Sequence, residues 1–142
     1  MKAIRHIGIV VSNLDRALHF YKDLFNFEIV SDMEESGEYL DTILSLDNAS
    51  VRTIKMKASG DTLIELLYFR SHPITPEIKN LTQIGCSHVA FTVENIDLEY
   101  EKLKKEGVIF NAPPQLSPDG YAKVTFCRDP DGTFIELVEV LN

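Results

Sequence analysis

The feature that most constrains this chain is an internal duplication. Residues 4–16 read IRHIGIVVSNLDR and residues 86–98 read CSHVAFTVENIDL. His6 and His88 each open a β-branched, strand-like run, and an Asn follows each after seven residues, Asn13 and Asn95. A second pair closes each half, TLIELLYF at 62–69 and TFIELVEV at 133–140, with Glu65 and Glu136 in matching slots. A chain that repeats itself in this way is expected to build two similar modules. Two His and two Glu at equivalent places can then meet at the seam between them.

A length of 142 residues fits a single domain able to bury its own core. The net charge is −8, and the densest basic patch, Lys102, Lys104 and Lys105, is diluted by Glu99, Glu101 and Glu106. A surface that grips phosphates needs clustered Lys and Arg, so nucleic acid is excluded as the expected partner. No apolar run is long enough for a bilayer, and Met1 leads into a charged strand rather than a signal peptide. A cytoplasmic, membrane-free protein is expected. Cys86 and Cys127 form no CxxC and no disulfide framework, which fits a reducing compartment.

Residues 4–11 predict a strand, with Ile7, Ile9 and Val11 on one face and His6, Gly8 and Val10 on the other. Asn13 is placed to cap a helix in which Leu14, Ala17, Leu18, Tyr21 and Leu24 recur at helical spacing up to Phe25. Strands are expected over 27–33, 50–57 and 62–69, and residues 37–46 fit either an extra strand or an insertion. The stretch 71–84 reads as a linker, with one helical turn expected at 77–81. The order then repeats: a strand at 88–93, a helix marked by Ile96, Tyr100 and Leu103 and ended by Gly107, and strands near 108–112 and 121–128. Asp129-Pro130-Asp131-Gly132 suits a type I turn into the last strand, 133–140. The expected fold class is therefore α+β: one domain, 1–142, made of two paired βαβββ modules, about 1–70 and 85–142. Their sheets would form a curved mixed surface around a cavity, with the helices outside.

In both opening strands the His faces away from the aliphatic stripe that belongs under a helix. Glu65 and Glu136 stand likewise opposite the Ile and Leu beside them. An isolated His in a strand is ordinarily just a satisfied side chain, but an unpaired carboxylate among Leu and Ile is costly. Four ionisable groups converging on one cavity need a partner, and a divalent cation serves best. His6, Glu65, His88 and Glu136 are the candidate ligands. Without thiolates, such a set suits Ni, Co, Zn, Mn or Fe(II). Cys86 can approach the same face, His19 belongs to the polar side of the first helix, and His72 carries no signal.

The HIGIVVSNLDRALHFYKDLF opening, the SHVAFTVENID restart and the RDPDGTFIEL ending resemble the vicinal oxygen chelate superfamily over almost the whole chain. That group includes glyoxalase I, methylmalonyl-CoA epimerase, the extradiol dioxygenases and the fosfomycin and bleomycin resistance proteins. The resemblance implies paired βαβββ modules, a homodimer, and a metal held by His6, Glu65, His88 and Glu136. The His, Glu, His, Glu set is similar to that of glyoxalase I. Val10, however, stands where bacterial glyoxalase I carries an Arg used for glutathione. Epimerases commonly have Gln in place of Glu65, while the dioxygenases and fosfomycin-type proteins use three protein ligands.

The leading expectation is a lyase or isomerase of the glyoxalase or epimerase type, acting on a small substrate with a carbonyl or vicinal oxygens. A proton next to the carbonyl would be removed by Glu65 or Glu136, and the metal would stabilise the resulting enediolate or enolate. Two other readings stand beside it. One is a non-catalytic protein that binds a drug or metabolite in the same cup, lined by aromatics such as Tyr39, Tyr68, Phe69 and Tyr121. The other is a metal-dependent dioxygenase. Residues 33–57 and 112–122, the least regular parts, are expected to set specificity, with Arg52, Lys123 and Arg128 as possible anchors for an anionic group.

Overall fold

The computed structural model describes residues 2–73 and 76–141. The chain separates into two compact units, Met1–Pro76 and Glu77–Asn142, and the division falls inside the predicted linker, of which Ile74 and Thr75 lie outside the described residues.

The first unit contains β1 (His6–Val10), α1 (Leu14–Leu18), β2 (Glu28–Ser36), α2 (Glu38–Leu44), β3 (Ser50–Lys57) and β4 (Leu63–Phe69). Its sheet runs β1-β4-β3-β2, with β1 parallel to β4 and the other pairs antiparallel. The second unit contains β5 (His88–Thr92), α3 (Ile96–Lys105), the two-residue strands β6 (Ile109–Phe110) and β7 (Gln115–Leu116), β8 (Ala122–Arg128) and β9 (Phe134–Val140). Its sheet runs β5-β9-β8-β6, with β7 also on β8, and β5 is parallel to β9. The two halves thus share one strand order, as the duplicated sequence predicts, and the α+β class holds.

Register explains which residues are buried. In the first unit Ile9, Ile54, Met56, Ile64 and Leu66 share one face, and each is at most 5% exposed. Such a side chain contributes roughly 1.5–3 kcal/mol on full burial, so this stripe dominates the energetics of the sheet. Asn13 caps α1 by accepting from Arg16 N, and Asn95 caps α3 by accepting from Leu98 N, both at 3.0 Å. Glu139, on the Ile135 and Leu137 face of β9, accepts from Ile96 N at 2.8 Å. That bond seats α3 on the face opposite Glu136.

Several boundaries differ from expectation. The first helix is α-helical only to Leu18 and continues as a π-helical turn, His19–Leu24. There Phe25 N bonds Phe20 O, and the wider turn gathers Phe20, Tyr21, Phe25 and Phe27 with ring centroids 4.5–6.5 Å apart. Residues 37–46 are mostly helix α2. Gly37 enters it with φ of 104°, Ser45 ends it in the left-handed conformation, and Asp41 holds the following loop through Asn48 N and Ala49 N. The helical turn expected at 77–81 is absent. The Asn80 side chain instead accepts from Thr82 N, a local bond that competes with helix.

An ion network ties the edge strand β2 to its neighbours. Arg52 makes a two-pronged pair with Asp32 at 2.8 and 2.7 Å, and Arg70 makes another with Glu34 at 3.1 and 2.6 Å. The guanidinium of Arg52 holds the Asp32 carboxyl below its ordinary range, and that of Arg70 does the same to Glu34. A lowered folded-state value means the Asp32 contribution is complete above its unfolded value of about 3.9. It is lost as pH falls from there through the folded value. With Arg52 and Asp32 side chains 33% and 38% exposed, solvent screening limits their pair to about 0.5–1 kcal/mol. Arg52→Met is therefore expected to lower urea-unfolding stability by about that amount at neutral pH. The gap from wild type should close below about pH 4. A gap that stays constant down to pH 2.5 would show that Arg52 stabilises by packing alone.

Candidate functional site

Alternation along β4 turns Glu65 away from Ile64 and Leu66 and onto the face shared by His6 and Gly8 of β1 and Lys55 of β3. Gly8 lies directly beside Glu65 in register, and a Cβ there would stand 3.1 Å from Leu67 Cδ1. The absence of a side chain leaves room for Leu67. Glu65 is only 9% exposed, and a carboxylate so placed needs partners. It has two: His6 Nε2 lies 3.1 Å from Oε2 and Lys55 Nζ 3.5 Å from Oε1. His6 Nδ1 is buried and has no hydrogen-bond partner among the described residues. At the far end of this face Leu40 of α2 packs with Ala49, Val51, Leu67 and Phe69, so the irregular segment of the sequence forms a local roof.

The second unit repeats the arrangement with different neighbours. His88 Nε2 lies 3.0 Å from Glu136 Oε2. Ala90 is the small residue beside Glu136, and Phe126 stands where the first unit has Lys55. The Phe126 ring meets His88 edge to face, centroids 5.1 Å apart. His88 Nδ1 is 3.2 Å from Ser87 Oγ, and Ser87 Oγ donates to Leu81 O at 3.1 Å. A serine hydroxyl carries one proton. With that proton spent on Leu81, Ser87 accepts from His88 Nδ1–H, and the Nε2 lone pair is turned toward the carboxylate.

Two lone pairs 3.0 Å apart repel unless a cation lies between them. A proton on Nε2 meets the need, and so does a metal ion. Two ligands about 2.1 Å from a metal and at right angles to each other are about 3.0 Å apart, which matches both pairs. The donor set, imidazole nitrogen with carboxylate oxygen and no thiolate, is also right for the expected metals. Each unit therefore supplies one His–Glu pair that fits one edge of a metal's coordination shell. Among the described residues, no third His, Cys, Asp or Glu joins the pair within either unit.

The remaining candidates sort clearly. His19 pairs with Asp23 at 3.2 Å on an exposed helix face, as expected of a solvated residue. His72 Nδ1 lies 2.9 Å from the Ser71 hydroxyl. Cys86 is exposed, with Sγ 3.8 Å from His88 O. Cys127 is buried, and burial, reinforced by Asp129, pushes its thiol up to about 12, so it is inert. Tyr39 and Tyr121 are 75% and 70% exposed, and Tyr68 and Phe69 are half-buried. Sequence reasoning missed Lys55, Ser87 and Phe126. Ser87 precedes a candidate ligand and so carried a weak signal, but the other two gain meaning only through the cross-strand register.

Comparison with known proteins follows the same line. Residues 3–137 match the family described as the Glyoxalase/Bleomycin resistance protein/Dioxygenase superfamily. The Bacillus subtilis protein YwkD is 29% identical, over 98% of each chain. The lactoylglutathione lyase of Schizosaccharomyces pombe is 28% identical over 95% of this chain, which spans only 46% of that enzyme. A glyoxalase family protein from Bacillus cereus superposes with a TM-score of 0.89 over 100% of this chain and 96% of its own, at 24% identity. With its duplicated strand order, its repeated His–Glu pairs and a match over nearly its full length, the chain belongs to the glyoxalase/bleomycin resistance protein/dioxygenase superfamily.

Proposed function

We propose that this chain is a metal-dependent lyase or isomerase that moves a proton next to a substrate carbonyl, with His6, Glu65, His88 and Glu136 holding the metal. The observation that carries this reading is the recurrence of one atom pair, His Nε2 facing Glu Oε2 at 3.1 and 3.0 Å, in both units. The Ser87 network supports it by leaving the His88 lone pair in need of a cation. The lyase named among the relatives supports the reaction class. A divalent ion, when bound, supplies electrophilic stabilisation of negative charge on a substrate oxygen.

The proton-transfer role belongs to Glu136. Both oxygens of Glu65 are engaged, Oε2 by His6 and Oε1 by the Lys55 ammonium. Glu136 has a partner on Oε2 alone among the described residues, which leaves Oε1 free to take a proton from a substrate carbon and return it. Phe126 beside it in register offers no competing hydrogen bond. Ser87 fixes the His88 ring, so that Glu136 Oε2 stays anchored while Oε1 works. Val10, 44% exposed on the His6 face, offers no charge to a glutathione carboxylate, which favours a substrate other than a glutathione adduct.

Elemental analysis of protein purified without a metal-binding tag tests the metal. Near-stoichiometric Ni, Co, Zn, Mn or Fe is expected, and it should vanish in the His6→Ala, Glu136→Ala double variant. A wild-type protein that takes up none of these ions even when each is supplied in excess sinks the enzyme reading, and leaves small-molecule binding as the task of the site.

The division of labour makes a separate prediction. On whichever 2-oxoaldehyde thiol adduct or acyl-CoA epimer is turned over, Glu136→Gln should lower kcat by about 10²–10⁴-fold. It should also suppress solvent deuterium exchange at the reacting carbon. Glu65→Gln should act mainly through metal content, with exchange restored by excess metal. Equal losses of exchange in both variants at full metal occupancy would remove the asymmetry.

A further inference from the structure

Three cations stood out in the sequence as possible anchors for an anionic group, and the structure separates them. Arg52 is spent on Asp32. Lys123 is spent on Asp97. Arg128 has no ion pair among the described residues: its guanidinium carbon lies 4.7 Å over the Phe134 ring, and its Nε is buried without a hydrogen-bond partner. A buried donor left unmatched on a permanently charged group is expensive, and stacking on a ring answers only part of that cost.

Its position in the sheet suits the guanidinium to a ligand. Arg128 of β8 is in register with Phe134 of β9, which is in register with His88 of β5. These three side chains form one row on the face that also carries Glu136 and Phe126. Neighbouring strands are about 4.8 Å apart, so the backbones of Arg128 and His88 are about 10 Å apart, with Phe134, 3% exposed, between them. A planar guanidinium presents a fork matched to two oxygens of a carboxylate or phosphate.

We propose that Arg128 is a specificity-determining residue that binds an anionic oxygen group of the substrate, so that the substrate is a small acid whose carboxylate or phosphate lies at the Arg128 end of the row and whose reacting carbonyl lies at the His88 end. The assignment rests on the reaction proposed above for the position of the carbonyl, but the anion site itself is a property of β8 and β9 alone.

The test is arranged so that the two readings fail separately. Metal-free wild-type protein is titrated calorimetrically with inorganic phosphate, alongside Arg128→Met and Arg128→Lys. Wild type is expected to bind, Arg128→Met to lose about tenfold or more in affinity, and Arg128→Lys, a point charge without the fork, to fall between them. Absence of phosphate binding in wild type, or equal affinity in Arg128→Met with an unchanged thermal midpoint, overturns the assignment. With metal supplied, 2-oxoglutarate is compared with 2-oxopentanoate, which has the same oxo-acid end but no distal carboxylate. Wild type should prefer the diacid, and Arg128→Met should erase the preference while keeping its metal content. A preference that survives in Arg128→Met also overturns the assignment. Failure of metal to load, by contrast, counts against the catalytic reading and leaves the phosphate difference to be judged on its own.

Discussion

A carboxylate set in the middle of an apolar strand has to be met by positive charge, and this chain faces that requirement twice. Glu65 and Glu136 sit in IEL sequences whose neighbours are among the best-buried residues of each unit. The aliphatic stripe takes one face of each sheet, so the carboxylate is forced onto the other. There it can be held by a histidine from the parallel strand at its side. The parallel β1–β4 and β5–β9 pairings are what make this possible, because they bring the opening strand of each half against its last strand. Small residues, Gly8 and Ala90, stand beside the two carboxylates in register.

Much of this was legible because strand alternation is strict. A period of two assigns faces without knowledge of the partner strand, so His6 and Glu65 could be placed together from sequence alone. The same holds for the caps: Asn13 and Asn95 behave as short polar side chains do ahead of an amphipathic run. What stayed hidden depends on contacts between distant segments. Helix α2 is short and opens at a glycine with no side chain to signal a cap, and its single buried anchor, Leu40, is fixed by residues of β3 and β4. The π-helical turn follows from aromatic packing around Phe20 and Tyr21, which no helical period predicts. Lys55 and Phe126 became site residues only once the β3–β4 and β8–β9 registers were known.

Those two residues show how the copies have diverged. Across the strand from the first carboxylate stands a cation, and across from the second a phenyl ring. Lys55 draws Glu65 into a fixed ion pair, whereas Phe126 gives Glu136 no second partner and lines its surroundings with carbon. Ahead of the histidines the contrast reverses: Ser87 orients His88, while Arg5 stands in that slot before His6, whose Nδ1 is left unmatched. Glu65 is thus met on both oxygens, by His6 and Lys55, whereas Glu136 is met on one among the described residues, by His88. Duplication supplies the framework, and differences at two matched positions, Lys55 against Phe126 and Arg5 against Ser87, give the two similar pairs different surroundings.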